Sequence, residues 1–566
     1  MTQRVLVYLS CLAMFLGGAC ASVSTYEVVI YNAQIYDGTG AAPFTGTVAI
    51  QNDTIAALGP DLQAKGALEI DAAGMAISPG FINMLSWATE SLIHDGRGLS
   101  DIAQGVTLEV MGEGMSMGPL NDEMKADMQQ GQGDIAYEVT WTTLGEYLQF
   151  LEDKGVSPNV ASFVGATTVR VHEIGYEDRL STDAEMDRMK ALVRQAMEEG
   201  ALGLGSSLIY APAFYADTDE LIELSKIIAE YDGLYITHMR SEGNNLIEAL
   251  GEVMRIATAS ESRAEIYHLK AGGRSNWGKM EEVITKIELA RQAGVQVAAN
   301  MYTYTAGATG LNASMPPWVQ EGGYTQWATR LQDPVIRKKV AQEMRTNALE
   351  WENLYYLTGS PEKVLLVGFK NDTLKQYTGK TLAEVANLRG TNPEETAMDL
   401  VVQDGSRVGT VYFLMSEENI RKQLKLPYMT FGSDASAPAP EGVFLKSNPH
   451  PRAYGNFARL LGKYVREEKV IPLEEAIRKL SYQAAIKLRI PRRGLLAPGY
   501  YADVVVFDPA TIQDHATFDD PHQLATGVEH VFVNGVQVLK DGKHTGATPG
   551  RFVRGAHYTG DPGSLE

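Results

Sequence analysis

Cysteine is nearly absent from this chain. The only two in 566 residues, Cys11 and Cys20, stand at the extreme N-terminus. The body of the chain therefore has no disulfide, no thiolate nucleophile and no cysteine ligand for a metal. Positive charge is scarce as well. The 49 Lys and Arg residues face 70 Asp and Glu, a formal net charge of −21. Without a basic field there is nothing to attract phosphates, which argues against nucleic acid as a partner. Beyond the N-terminus no apolar run is long enough to cross a bilayer, and there is no internal repeat or low-complexity tract. The composition that remains, 45% hydrophobic, is that of a globular protein with a large core. The length would suit about three or four average domains, or one barrel with insertions.

The N-terminus reads as a processing segment over residues 1–21. Arg4 precedes an apolar run from Val5 to about Gly18, and Ala19-Cys20-Ala21 offers a cleavage site. A lipoprotein signal is the competing reading, with Cys20 carrying a lipid that would be the chain's only membrane contact. Either way the expected location is outside the cytoplasm, periplasmic or anchored to a membrane.

Three stretches carry the chemistry. Leu234-Tyr235-Ile236-Thr237-His238 is an apolar β run that ends in an imidazole. Thirty residues on, Ala264-Glu265-Ile266-Tyr267-His268 repeats the arrangement, and Tyr428-Met429-Thr430-Phe431-Gly432-Ser433 ends in Asp434. Imidazoles and a carboxylate at the C-terminal ends of successive strands are how a (β/α)8 barrel builds a metal site. Around them β and α signals alternate with a period of roughly 30–35 residues, the length of a β-strand with its crossover helix. Thr182-Asp183-Ala184-Glu185 is a capping box, and Met186, Met189, Val193 and Ala196 follow it at helical spacing.

The predicted architecture is α/β: a (β/α)8 TIM-type barrel over 76–489 with a small β-sandwich domain built from both chain ends, 26–75 and 490–556. The first part of that domain rests on strand signals such as Tyr26 to Tyr36. The second rests on Ala502-Asp503-Val504-Val505-Val506-Phe507 and on the Asn534-Gly535 hairpin turn. Residues from about 305 to 425 are hard to place. An inserted lobe at about 310–400 is expected there, near the mouth of the site, and more than one β/α unit could be hidden in it.

Over nearly all of its length the chain resembles the amidohydrolase superfamily, and within it the N-acyl-D-amino-acid deacylases. The similarity runs through Pro79-Gly80-Phe81-Ile82, Gln104-Gly105-Val106-Thr107, Leu208-Ile209-Tyr210-Ala211-Pro212, Thr237-His238-Met239-Arg240-Ser241-Glu242, Gly432-Ser433-Asp434 and His450-Pro451-Arg452. It continues through Ala502 to Pro509 and Thr545 to Arg551. The departures are equally specific. Where the superfamily has His-x-His, this chain has Leu85 and Trp87. Where the deacylases place a ligand cysteine, it reads Gly112-Glu113-Gly114-Met115, and a further family histidine is Ala166.

The resemblance implies a hydrolase of a non-peptide C–N amide bond acting on a small N-acyl amino acid or related amide, most simply an N-acyl-D-amino acid. With the His-x-His pair gone, it implies one divalent metal held by Glu113, His238 and His268. Zinc leads, although manganese, iron and nickel accept the same donors. Asp434 would be the catalytic base. Lys270, Tyr304 and Arg452 would hold the substrate carboxylate or the developing oxyanion, and Arg240 would bind substrate or orient Glu242. The alternatives are a dipeptidase or cyclic-amide hydrolase, and a catalytically silent binding protein that kept the fold.

Overall fold

The computed structural model describes residues 24–558, so the expected signal segment and both cysteines lie outside the described residues. Among the described residues, no helix is long and apolar enough to cross a membrane.

The fold class is the one expected. Both ends of the chain meet in a nine-stranded sheet. Ser24–Ile35 pairs antiparallel with Phe44–Gln51, and parallel with Ala64–Asp71 and Ala76–Pro79. Val504–Phe507, four apolar residues all buried, then pairs antiparallel with Ala76–Pro79 on one side and Val528–Val533 on the other. Val, Ile and Phe suit a pleated surface packed on both faces, which fixes this strand in the interior of the sheet. Ala76–Pro79 therefore belongs to the terminal sheet, whereas the sequence suggested a lead-in to the barrel.

The barrel strands follow in chain order: β1 Phe81–Asn83, β2 Val106–Met111, β3 Asn159–Ser162 continuing as Val164–Gly165, β4 Gly203–Ser207, β5 Leu234–His238, β6 Arg263–Ile266, β7 Val297–Met301 and β8 Met429–Phe431. Each pairs parallel with the next. The ring closes where Met84 N–H donates to Phe431 O at 3.0 Å and Asp434 N–H donates to Leu85 O at 2.8 Å. A Cβ at Gly432 would lie 2.6 Å from the Leu85 nitrogen, so only glycine allows the closing segments to approach this closely.

The hidden units are not in the lobe. Its four strands, Ala306–Gly310, Gly409–Phe413, Val364–Gly368 and Lys380–Thr381, pair antiparallel among themselves. They share a hydrophobic core with the intervening helices, including Leu311, Trp327, Val340, Met398 and Tyr412. The whole lobe is one insertion between β7 and β8. The units that sequence reading missed are β2 and β3.

Candidate metal centre and active-site cavity

The expected ligands converge at the C-terminal end of the barrel. Glu113 follows β2, His238 ends β5 and His268 follows β6. Their donor atoms all lie within 4.8 Å of one another, and among the described residues no other group of His, Cys, Asp or Glu forms such a trio. Glu113 Oε1 is the hub, 3.1 Å from His238 Nδ1 and 2.9 Å from His268 Nε2. The two imidazoles stand edge to face with centroids 4.5 Å apart. All three residues are buried.

A second carboxylate, Glu242, backs both rings. Its Oε1 is 3.0 Å from His268 Nδ1 and its Oε2 is 3.4 Å from His238 Nε2, a buried nitrogen that makes no hydrogen bond. Lys270 Nζ completes the cluster, donating to Glu242 Oε1 at 2.6 Å and lying 2.8 Å from His268 Nδ1. A neutral His268 that binds through Nε2 carries its proton on Nδ1, where Glu242 accepts it. Such a carboxylate behind a ligand histidine fixes both tautomer and ring orientation.

The electrostatics call for positive charge at Glu113 Oε1. Burial works against the Glu113 anion, yet His268 and His238 hold its pKa well below the usual carboxylate range. Glu242 is likewise lowered: burial opposes its charge, but His238, Lys270 and His268 outweigh it. Burial and Lys270 oppose a charged His268 ring, but Glu242 and Glu113 overcome both and push its pKa up to about 9. Two nitrogens and a carboxylate oxygen, converging and backed by a further carboxylate, fit a divalent ion of the zinc type.

These residues open into a cavity of about 420 Å³, within the range of small-ligand sites. Asp434 stands in its wall with Oδ2 2.8 Å from Arg452 Nη1. Burial raises the Asp434 pKa, and the charge on Glu113 adds to the rise against the pull of Arg452. Both His268 and Asp434 have left-handed backbones, φ +32° and +51°, the kind of strain that marks functional sites. Arg452 is 2% exposed. Its guanidinium packs 4.4 Å from the Tyr302 ring centroid, and its Nε has no hydrogen-bond partner. His450 positions the turn beneath it, accepting from Arg452 N–H at 3.0 Å and meeting Ala306 O through its other nitrogen.

Two expected site residues are elsewhere. Tyr304 does not line the cavity; its hydroxyl donates to Asp514 Oδ2 at 3.2 Å and its ring carries Arg459. β7 ends at Met301, and Thr303 is tied to Asn456, so the strand alternation stops before Tyr304. Tyr302 takes the cavity wall in its place. Arg240 also points away, forking onto Glu252 and donating to Phe214 O and Ala216 O. It braces the helix Leu246–Ser260 rather than the cavity. Lys270 does line the cavity, with one of its three N–H donors engaged by Glu242.

Sequence reasoning missed four residues of the cavity in addition to Glu242. Tyr210 lies 5.4 Å from the His238 ring, centroid to centroid, and carries the Arg407 guanidinium at 5.3 Å on its face. Arg407 and Glu352 come from the inserted lobe. Glu352 accepts from Ser241 Oγ at 2.7 Å and from Glu242 N–H at 3.1 Å. Trp87 donates its indole N–H to Glu113 Oε2 at 3.0 Å. The signal for Glu242 was present: it lies four residues after His238 in a turn pinned at both ends.

Comparison with known proteins gives a consistent picture. The Amidohydrolase family (Amidohydro_3) matches residues 68–539. D-aminoacylase of Alcaligenes xylosoxydans xylosoxydans is 30% identical over 532 residues, 93% of this chain and 97% of that one. N-acyl-D-aspartate deacylase of the same organism is 31% identical over 530 residues, 93% and 95%. The solved N-acyl-D-glutamate deacylase of Bordetella bronchiseptica, complexed with zinc and a phosphonate mimic of the tetrahedral intermediate, superposes with a TM-score of 0.77. It is 26% identical and spans 94% of this chain and 100% of that one.

Proposed function

The chain belongs to the amidohydrolase family, and from that premise we propose that it hydrolyses the amide bond of an N-acyl-D-amino acid, releasing the acyl group as a carboxylate. The observation that carries this reading is the convergence of Glu113, His238 and His268 on one point of a cavity whose wall also holds Asp434 paired with Arg452.

Glu113, His238 and His268 would hold one divalent ion, and zinc is the ion we propose. It would supply Lewis-acid polarisation of the scissile carbonyl and activation of the attacking water. Asp434 is the base. Arg452 keeps Oδ2 engaged, which leaves Oδ1 to take the water proton and return it to the departing amine nitrogen. Arg452 also lines the cavity, where its guanidinium would pair with a substrate carboxylate through a charge-assisted bond. Tyr302 and Tyr210 keep their protons, since burial raises both pKa values, so each hydroxyl serves as a donor to a polarised oxygen. Lys270, with one N–H on Glu242, keeps donors for the substrate. The lobe contributes Glu352, Arg407 and Tyr412 to the far wall.

The test is a panel of N-acetyl-D- and N-acetyl-L-amino acids, dipeptides and hydantoins, assayed with zinc-loaded protein, together with metal content per chain. Turnover of the N-acetyl-D series with about one ion per chain is expected. Turnover confined to dipeptides or hydantoins, or a chain that takes up no ion, would sink the reading. The N-terminal segment adds a second, independent proposal, export from the cytoplasm. Fractionation of cells expressing the full chain checks it, and protein found only in the cytoplasm would reject it.

A further inference from the structure

We propose that Trp87 is a positioning residue of the centre: its indole fixes Glu113 for one ion and seals the carboxylate against a second. The proposal rests on the reading above that the site holds a divalent ion.

The two oxygens of Glu113 face different surroundings. Oε1 meets both imidazoles, and Oε2 accepts the Trp87 indole N–H at 3.0 Å. A directed N–H occupies one of the two lone pairs of that oxygen and competes with a second cation for it, and indole is a donor that cannot itself bind a metal. Behind Trp87 the wall is apolar. Leu85 and Met84 are fully buried among Ile82, Val110 and Tyr267, and the carboxylate that shares the cavity with Glu113, Asp434, is paired with Arg452 at 2.8 Å. The backbone that carries the indole is held in place. The Trp87 backbone N–H donates to Ala435 O at 2.9 Å, Ser86 N–H donates to Val110 O at 2.8 Å, and Ser86 bridges to Ala435. The segment that closes the barrel thus sets where the Trp87 side chain starts, and the bond to Glu113 Oε2 orients the ring. Removing such a partner of a metal ligand commonly costs 10–100-fold in metal affinity. Trp87 is 38% exposed and lines the cavity, which makes its emission a reporter of the centre.

The experiment is a zinc titration of the chelator-treated full chain, followed by equilibrium dialysis and by tryptophan emission, on wild type, Trp87→Phe and Trp87→His. Wild type should saturate at one ion and stay there in excess zinc, with a change in indole emission. Trp87→Phe keeps the ring and loses the donor. It should bind the same single ion about tenfold or more weakly, without the emission change. Trp87→His replaces the seal with a ligand and should take up a second ion. A Trp87→Phe variant with wild-type affinity, or a wild-type emission untouched by zinc, overturns the positioning role. A Trp87→His variant that still saturates at one ion overturns the seal. Wild type that binds no zinc overturns the parent reading and this one with it, whereas normal binding by wild type and Trp87→Phe alike overturns this one alone.

Discussion

Two pairs of buried carboxyl groups lie close together at this end of the barrel, and they behave in opposite ways. Glu113 and Glu242 are lowered in pKa, because His238, His268 and Lys270 supply positive partners that outweigh burial. Asp101 and Glu109 are raised. For both, burial is the largest cause, and Asp101 is pushed up further by the charge of Glu109. Their polar neighbours are neutral, with Asn83 Nδ2 donating to Glu109 Oε2 at 2.9 Å and to Ser433 Oγ at 2.8 Å. Carboxyl groups at the same burial are therefore lowered in one place and raised in the other. Partners, not depth, decide the charge of a buried carboxyl group.

Removing a partner from the first pair is the severest way to break the contrast. Glu113→Ala should reduce bound metal from about one ion per chain to a small fraction, by elemental analysis, and abolish amide hydrolysis with it. Asp434→Asn sharpens the contrast. That carboxylate stands between the two cases, raised by burial yet paired with Arg452. Its loss should cut kcat by about 10²–10⁴-fold while metal content stays at the wild-type level, and an equal loss of metal would assign Asp434 to the ligand set instead.

Glu352 extends the comparison to the lobe. Burial and the charge of Glu242 push its pKa up to about 7, against hydrogen bonds from Ser241 and the Glu242 backbone. The folded value lies above the ordinary one of 4.5. Over that window the unfolded chain gives up its proton first, so stability should fall as pH rises from about 4.5 to 7. Glu352→Gln should flatten that slope and gain on the order of 1–3 kcal/mol at pH 8, by urea denaturation at pH 5 and pH 8. A variant less stable than wild type at pH 8 would show that the two donors dominate. The smallest effect belongs to the second pair. Asp101→Asn preserves a donor toward Glu109 and should leave zinc affinity unchanged and stability within about 1 kcal/mol, by zinc titration and thermal unfolding.

How much of this could be read in the sequence followed from what each residue's neighbours in the chain reveal. His238, His268 and Asp434 were legible because each sits at the end of an apolar β run. β2 and β3 were not, because Val106–Met111 carries the buried Glu109 and Asn159–Ser162 is short and half polar, so neither shows an unbroken apolar run. Tyr302 and Tyr304 share a parity that strand alternation cannot separate, and only the end of β7 at Met301 does so. Arg240 stands two residues after His238, but its partner Glu252 lies on the next helix, a contact that no local pattern announces. Glu352 and Arg407 reach the cavity from a lobe whose position relative to the barrel is a matter of tertiary packing alone.

The union of the two chain ends in one sheet bears on how the molecule is made. Ala76–Pro79 finds its antiparallel neighbour only in Val504–Phe507, so synthesis must be nearly finished before that side of the strand is covered. Until then the nascent chain presents an unpaired β edge, open to pairing with other chains. So large a sequence separation between partners also slows the search for the native register. A ribosome that stops short of Val504 would release a chain with an uncovered strand edge and a core missing Val505, Phe507, Val531, Leu539 and Phe552, a species better suited to aggregation than to turnover.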